Sequence, residues 1–141
     1  MQTYLHITCM DLDILIDSML IREILEIDQS ERTDCTEANG WRNWRGTPIP
    51  SIDLRVISGK TELPEPCNAL IYMENGAEQP IMFLCDTLCG LIHTTEAAFC
   101  ALPLSSGRIA DFVDALLPDS SSNRILFRLK QGVFDKSWPS C

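Results

Sequence analysis

Cys85, Cys89 and His93 are the residues of this chain whose types and spacing come nearest to a reactive or metal-binding set. On a helix, spacings of four would align all three on one face at about 6 Å per step, within reach of one zinc-like cation. On a strand the same spacing separates successive side chains by about 13 Å, too far for ligands that share an ion. The flanking residues are strand-like, which disfavours the metal. A redox role has less behind it: Cys-x-x-x-Cys is not Cys-x-x-Cys, and no basic residue stands beside these cysteines to lower a thiol pKa. A Cys–His nucleophile would need His6 or His93 carried to a thiol together with an orienting carboxylate. With seven cysteines and two histidines some such pairing is always conceivable. Neither a Gly-rich phosphate loop nor Gly-x-Ser-x-Gly is present. What remains is recognition chemistry. Trp41 and Trp44, beside Arg42 and Arg45, resemble the aromatic and arginine anchors of protein interfaces. Three apart on a strand they face opposite sides, one toward a core and one toward a contact. Asp11 with Asp13, and Glu23 with Glu26, read as solvated faces.

The elements that must position these residues are mostly strands. Tyr4–Cys9 and Ile14–Ile16 flank a turn at Asp11–Asp13 and predict an opening hairpin. Ser18 is placed to cap a short helical turn through Met19 and Leu20. Ile21–Ile27 then alternates apolar and polar residues as a half-buried strand does. Residues 28–39 have no apolar pattern and read as a polar surface loop. The Trp41–Trp44 segment leads through Gly46 to Thr47–Leu54, where Pro48 and Pro50 demand an edge or a bulge for their missing N–H groups. Leu63–Pro66 punctuates the middle. Ala69–Met73 and Ile81–Leu84 are apolar strands joined by a turn at Asn75-Gly76. Leu88–Thr94 and Ile125–Leu129 are further strands, with loops at Pro103–Gly107 and Asp119–Asn123. Short strands with turns about every ten residues predict an all-β chain, with short helices, built as a small barrel or sandwich.

Composition narrows the function classes. The chain has 141 residues, 45% of them apolar and 22% charged, enough to bury a core without a metal or disulfide staple. Its net charge of −9 lacks the basic footprint that phosphate neutralisation requires, so nucleic acid is not an expected partner. The same charge disfavours direct contact with an anionic membrane. The N-terminus lacks the features of a signal peptide, and no apolar run is long enough to cross a bilayer, so a cytoplasmic location is expected. The odd number of cysteines, irregularly spaced, fits reduced and mostly buried thiols better than a disulfide framework.

One segment is specific. Gly40-Trp41-Arg42-Asn43-Trp44-Arg45-Gly46-Thr47-Pro48-Ile49-Pro50-Ser51-Ile52-Asp53-Leu54-Arg55 resembles the signature of CheW-like domains. In that family a glycine and two variable residues precede Asn, an apolar residue and Arg-Gly. Two variable residues, an apolar residue, Pro and a small or apolar pair then lead to Asp-Leu-Arg. Gly40, Asn43, Arg45, Gly46, Pro50, Asp53, Leu54 and Arg55 all fall in register. Ile21–Leu25 is similar to the family's apolar-x-Glu-Ile strand, and Ile81–Leu88 to its second-half run of apolar residues and Asp. On their own physics, Gly46 supplies a positive φ or a close approach, Pro50 fixes φ at an edge, and Asp53 opens Asp-Leu-Arg as an N-cap opens a helix.

The resemblance implies a fold of two packed, intertwined five-stranded SH3-like β-barrel lobes, forming a single domain over residues 1–141. It implies a non-enzymatic adaptor that needs no cofactor and couples the cytoplasmic tips of chemoreceptors to the regulatory domain of a CheA-type histidine kinase. The partner-binding residues it implies are Ile21, Glu23, Ile24, Asn43 and Arg45, with Arg45 paired to Glu23. Gly46, Pro50 and Asp53 shape the turn. Departures are visible as well. The 28–39 loop is acidic, Met82 stands where the family commonly has glycine, and the last third lacks its glycine-punctuated strand pair, with Pro118 interrupting Ala115–Leu117. The alternatives are a module that binds only a kinase or other regulator without receptors, and a small cysteine-based redox or metal-binding protein.

Overall fold

The computed structural model describes residues 1–27, 39–60, 64, 66 and 68–132. The first sheet begins with β1 (Gln2–Cys9) and β2 (Leu12–Asp17), the predicted hairpin, turning at Met10-Asp11 with Met10 at φ 61°. A single 3-10 turn at Ser18–Leu20 then redirects the chain. Its cap is Asp17, whose side chain accepts the Met19 N–H, and not Ser18, which is already inside the turn. The second sheet follows: β3 (Ile21–Glu26), β4 (Asn39–Trp44), β5 (Thr47–Asp53), β6 (Asn68–Tyr72) and β7 (Ile81–Cys85). The chain returns to the first sheet as β8 (Thr87–Thr94), β9 (Val113–Asp119) and β10 (Arg124–Leu129). The polar segment at 28–39 lies outside the described residues, except that Asn39 opens β4; most of Leu63–Pro66 lies outside them too.

Two five-stranded sheets result, ordered β8-β1-β2-β10-β9 and β3-β6-β7-β5-β4. Each holds one parallel pair, β2 with β10 and β5 with β7, among antiparallel neighbours. The two packed five-stranded lobes are those the resemblance implies, though among the described residues neither sheet closes into a continuous barrel. The first is drawn round by one pair of backbone bonds between Cys100 and Leu116 of β9, at 2.8 and 3.0 Å. The second is drawn round by side chains, described below. Pro103–Gly107 is not an open loop: Leu104–Asp111 forms 3-10 turns that kink at Gly107. Pro118 does not break its strand, because β9 is an edge strand and tolerates a missing donor.

Burial explains the apolar runs. On β6 and β7, Leu70, Tyr72, Ile81, Phe83 and Cys85 face one cluster, while Ala69, Ile71, Met82 and Leu84 face another. The first cluster also takes in Leu5, Ile7, Ile14 and Ile16 of the first sheet, so the two sheets share one core. The second fills the far side of the second sheet, and Met82 supplies volume there that a glycine would leave empty. Tyr4, Leu15 and Leu126 form a third cluster on the far side of the first sheet. A strand packed on both faces has no polar side to alternate with, which is why β7 is buried along all five residues.

Candidate functional site

The signature segment folds as a hairpin. Arg45 and Gly46 are its two turn residues, at φ 53° and 79°, the pattern of a type I′ turn. Arg45 therefore sits at the tip of the turn and not at a strand end. In such a hairpin Trp44 and Thr47 form the closing hydrogen-bonded pair, so Pro48 and Pro50, opposite Asn43 and Trp41, occupy positions where β4 asks for no N–H. On their other side β7 pairs only with Ser51–Asp53, so neither proline denies it a donor.

Glu23 on β3 meets this hairpin. One carboxylate oxygen accepts the Trp44 indole N–H at 2.9 Å and the Arg45 Nη2 at 3.2 Å. Arg45 also lies over the Trp44 ring, 5.1 Å from guanidinium carbon to centroid. β3 and β4 are the two edges of their sheet, so these contacts bring the open edges together. The Arg45 side chain is 72% exposed and that of Glu23 30%. An ion pair this exposed contributes at most about 1 kcal/mol to stability, so its geometry matters more than its energy. Trp44 packs half-buried on the cluster of Ile49, Ile71 and Leu84, while Trp41 is half-buried and Asn43 exposed. Of the two tryptophans, Trp44 is thus the one packed on a buried cluster among the described residues, although neither is fully buried.

A bulge sets the apolar part of the site. Ile21 opposes Tyr72 but Glu23 opposes Ile71, leaving Arg22 as the extra residue. Ile21 and Ile24, three apart, would otherwise face opposite sides. The bulge puts both on the side of Tyr72 and Leu70, toward the shared core. Ile21 packs against that core, and Ile24 at its rim remains 48% exposed.

At the end of β5 lies an ionic cluster whose partners sequence reasoning did not assign. Asp53 caps the 3-10 turn Leu54–Ser58 by accepting the Arg55 N–H at 3.0 Å. The Arg55 guanidinium then folds back on the same carboxylate, at 2.9 Å from Nε and 2.7 Å from Nη2, and reaches Asp86 at 3.1 Å. Asp86 in turn accepts the Met10 N–H at 2.7 Å. Arg55 is 1% exposed, so this arginine is an internal tie between the two sheets and not a surface group. The signal was available in Asp-Leu-Arg and in the later apolar-Asp run, but spacing alone does not show that they meet.

Among the described residues, Cys85, Cys89 and His93 are not gathered into one metal site. Cys85 ends β7 and is buried, whereas Cys89 and His93 lie on β8 and are exposed. Among the described residues no three His, Cys, Asp or Glu side chains are arranged to hold a metal. Of the four described cysteines, Cys9 and Cys85 are buried and Cys89 and Cys100 exposed, so burial is less general than composition suggests. A basic neighbour does exist, since Arg55 favours the thiolates of Cys9 and Cys85. Burial outweighs it, holding Cys9 well above the ordinary thiol range and pushing Cys85 up to about 12. A second buried carboxylate, Asp13, is held by His6 at 2.8 Å and Arg124 at 2.7 Å. Among the described residues no helix is long and apolar enough to cross a membrane.

Comparison with known proteins agrees with this fold. Among solved structures, the scaffolding protein TtCheW from Thermoanaerobacter tengcongensis superposes with a TM-score of 0.71 at 18% identity, covering 92% of this chain and 88% of that one. No curated protein matches the chain significantly. A family model described as CheW-like domain matches residues 3–128, nearly the whole length, and the chain belongs to that family.

Proposed function

We propose that this chain is a non-enzymatic scaffold of chemosensory signalling, joining chemoreceptor tips to the regulatory domain of a CheA-type histidine kinase. The observation that carries the reading is the surface built by Glu23, Trp44 and Arg45 where the two edges of the second sheet meet, with the exposed Ile24 on the opposite face of β3. The half-buried Trp44 ring, rimmed by the Glu23 carboxylate and the exposed Arg45 guanidinium, suits a helix laid against it, the form in which a receptor tip would present itself. Glu23 fixes one N–H of Arg45, and the rest of the exposed guanidinium faces solvent, where it can take a partner carboxylate. Family membership and the likeness to a protein described as a scaffold support the same role. A cytoplasmic location follows from it.

Arg45→Ala tests the site. Its side chain is exposed, so folding stability should change by less than about 0.5 kcal/mol. Calorimetric affinity for a receptor-tip helix hairpin should fall about tenfold or more, as expected for loss of a charge-assisted contact. Unchanged affinity in a folded Arg45→Ala protein contradicts the site. Binding to the kinase domain with no binding to any receptor tip identifies a kinase-only module instead.

A further inference from the structure

The outer edge of β8 is unlike the other sheet edges. β9 is covered where Cys100 bridges Leu116, and β3 and β4 meet through Glu23, Trp44 and Arg45. β3 also carries charge at three of its six residues, Arg22, Glu23 and Glu26. β8 runs for eight residues, Thr-Leu-Cys-Gly-Leu-Ile-His-Thr, with no Asp, Glu, Lys, Arg or Pro. It stands at the end of its sheet, and Leu91 is 60% exposed on it. Charges and prolines are the usual means of keeping an edge from pairing with another chain. Here the one such device is the bulge at Cys89, between the pairs His6–Gly90 and Ile7–Leu88.

The direction of the unpaired groups follows from register. The β1–β2 hairpin closes on the pair Cys9–Leu12, so Cys9, Ile7 and Leu5 direct their backbone groups toward β2. The even residues Tyr4 and His6 direct theirs toward β8, to Ile92 and Gly90. Leu91 and His93 therefore direct their N–H and C=O groups away from the sheet, and none of these has a backbone partner among the described residues. Two such edges are mutually complementary when run antiparallel with Leu91 opposite Leu91. That register forms a closely hydrogen-bonded pair at the two-fold axis and buries one exposed leucine against the other. It brings no charged side chain of β8 against another, in a molecule whose net charge of −9 otherwise opposes self-association.

We propose that β8 is a homodimer interface, at which a second copy of this chain adds its own β8 to make one continuous ten-stranded sheet. This role is separate from the Arg45 surface, which lies on the other sheet. Sedimentation velocity of the full chain at rising concentration should show monomer passing to dimer. Leu91→Lys places two ammonium groups across the axis and should abolish the dimer while the thermal melt is kept. Hydrogen exchange supplies a readout without mutation: the Leu91 and His93 amides should exchange freely when dilute and become protected when concentrated. A chain that stays monomeric with those amides unprotected overturns the proposal, as does a dimer indifferent to Leu91→Lys. Protection that appears only on adding a kinase or receptor fragment, with no dimer, also overturns it and identifies a foreign strand on this edge.

Discussion

Arg55 shows how a single residue can be essential to the fold while contributing little on balance. Its desolvation is offset by two carboxylates, Asp53 and Asp86, which reach it from the start of a 3-10 turn and the end of β7. Replacing all three by apolar groups could leave stability nearly unchanged, whereas removing one strands the others in the interior. Arg55→Met should therefore cost about 3–5 kcal/mol in urea unfolding, because it leaves Asp53 buried and uncompensated. Cys85 makes a second residue-scale statement. Its folded thiol ionises near 12 against an ordinary 9.0, chiefly through burial, so above about pH 9 the unfolded chain binds fewer protons than the folded one. Its contribution is intact below pH 9 and is lost as pH rises toward 12. Urea midpoints should fall across that window, and Cys85→Ala should flatten the slope relative to its own value at neutral pH.

Among the elements, the β4–β5 hairpin and the β3 bulge do the positioning. Gly46 has open space where a Cβ would go, so only its φ of +79° resists substitution. Gly46→Ala should cost about 1–2 kcal/mol from backbone strain alone, and a larger loss of stability would mean that the space is not open. The hairpin, the alternating β3 and the apolar β6–β7 pair were legible because each expresses a period or a turn preference contained in a few neighbouring residues. Asp53 as a cap was legible for the same reason. The bulge at Arg22 was not, since nothing in Ile-Arg-Glu-Ile marks which residue goes unpaired, and only the register against Tyr72 and Ile71 reveals it. The Asp53–Arg55–Asp86 cluster was missed because it joins residues 31 positions apart. The 3-10 turns of Leu104–Asp111 are not legible because Pro, Ser and Gly dominate Pro103–Gly107, where they begin, and read there as loop.

At the scale of the whole molecule, the chain begins one sheet, completes the other, and returns to finish the first. Both sheets press apolar faces into one shared core, with Leu5, Ile7 and Ile14 from one and Leu70, Phe83 and Ile52 from the other. That arrangement leaves different edges for different contacts: the Glu23–Trp44–Arg45 closure on the second sheet and the bare β8 on the first. A scaffold must hold receptor and kinase at once, and with β8 proposed to join two copies of the chain, both of those partners are expected to dock elsewhere on the same core. The measurement that tests this most directly is size-exclusion chromatography with light scattering on this chain, a CheA-type regulatory domain and a receptor-tip hairpin, singly and mixed. One complex containing all three is expected, in which the receptor fragment elutes with the kinase domain only when this chain is present. Separate elution of receptor and kinase fragments in the presence of the folded chain would contradict it.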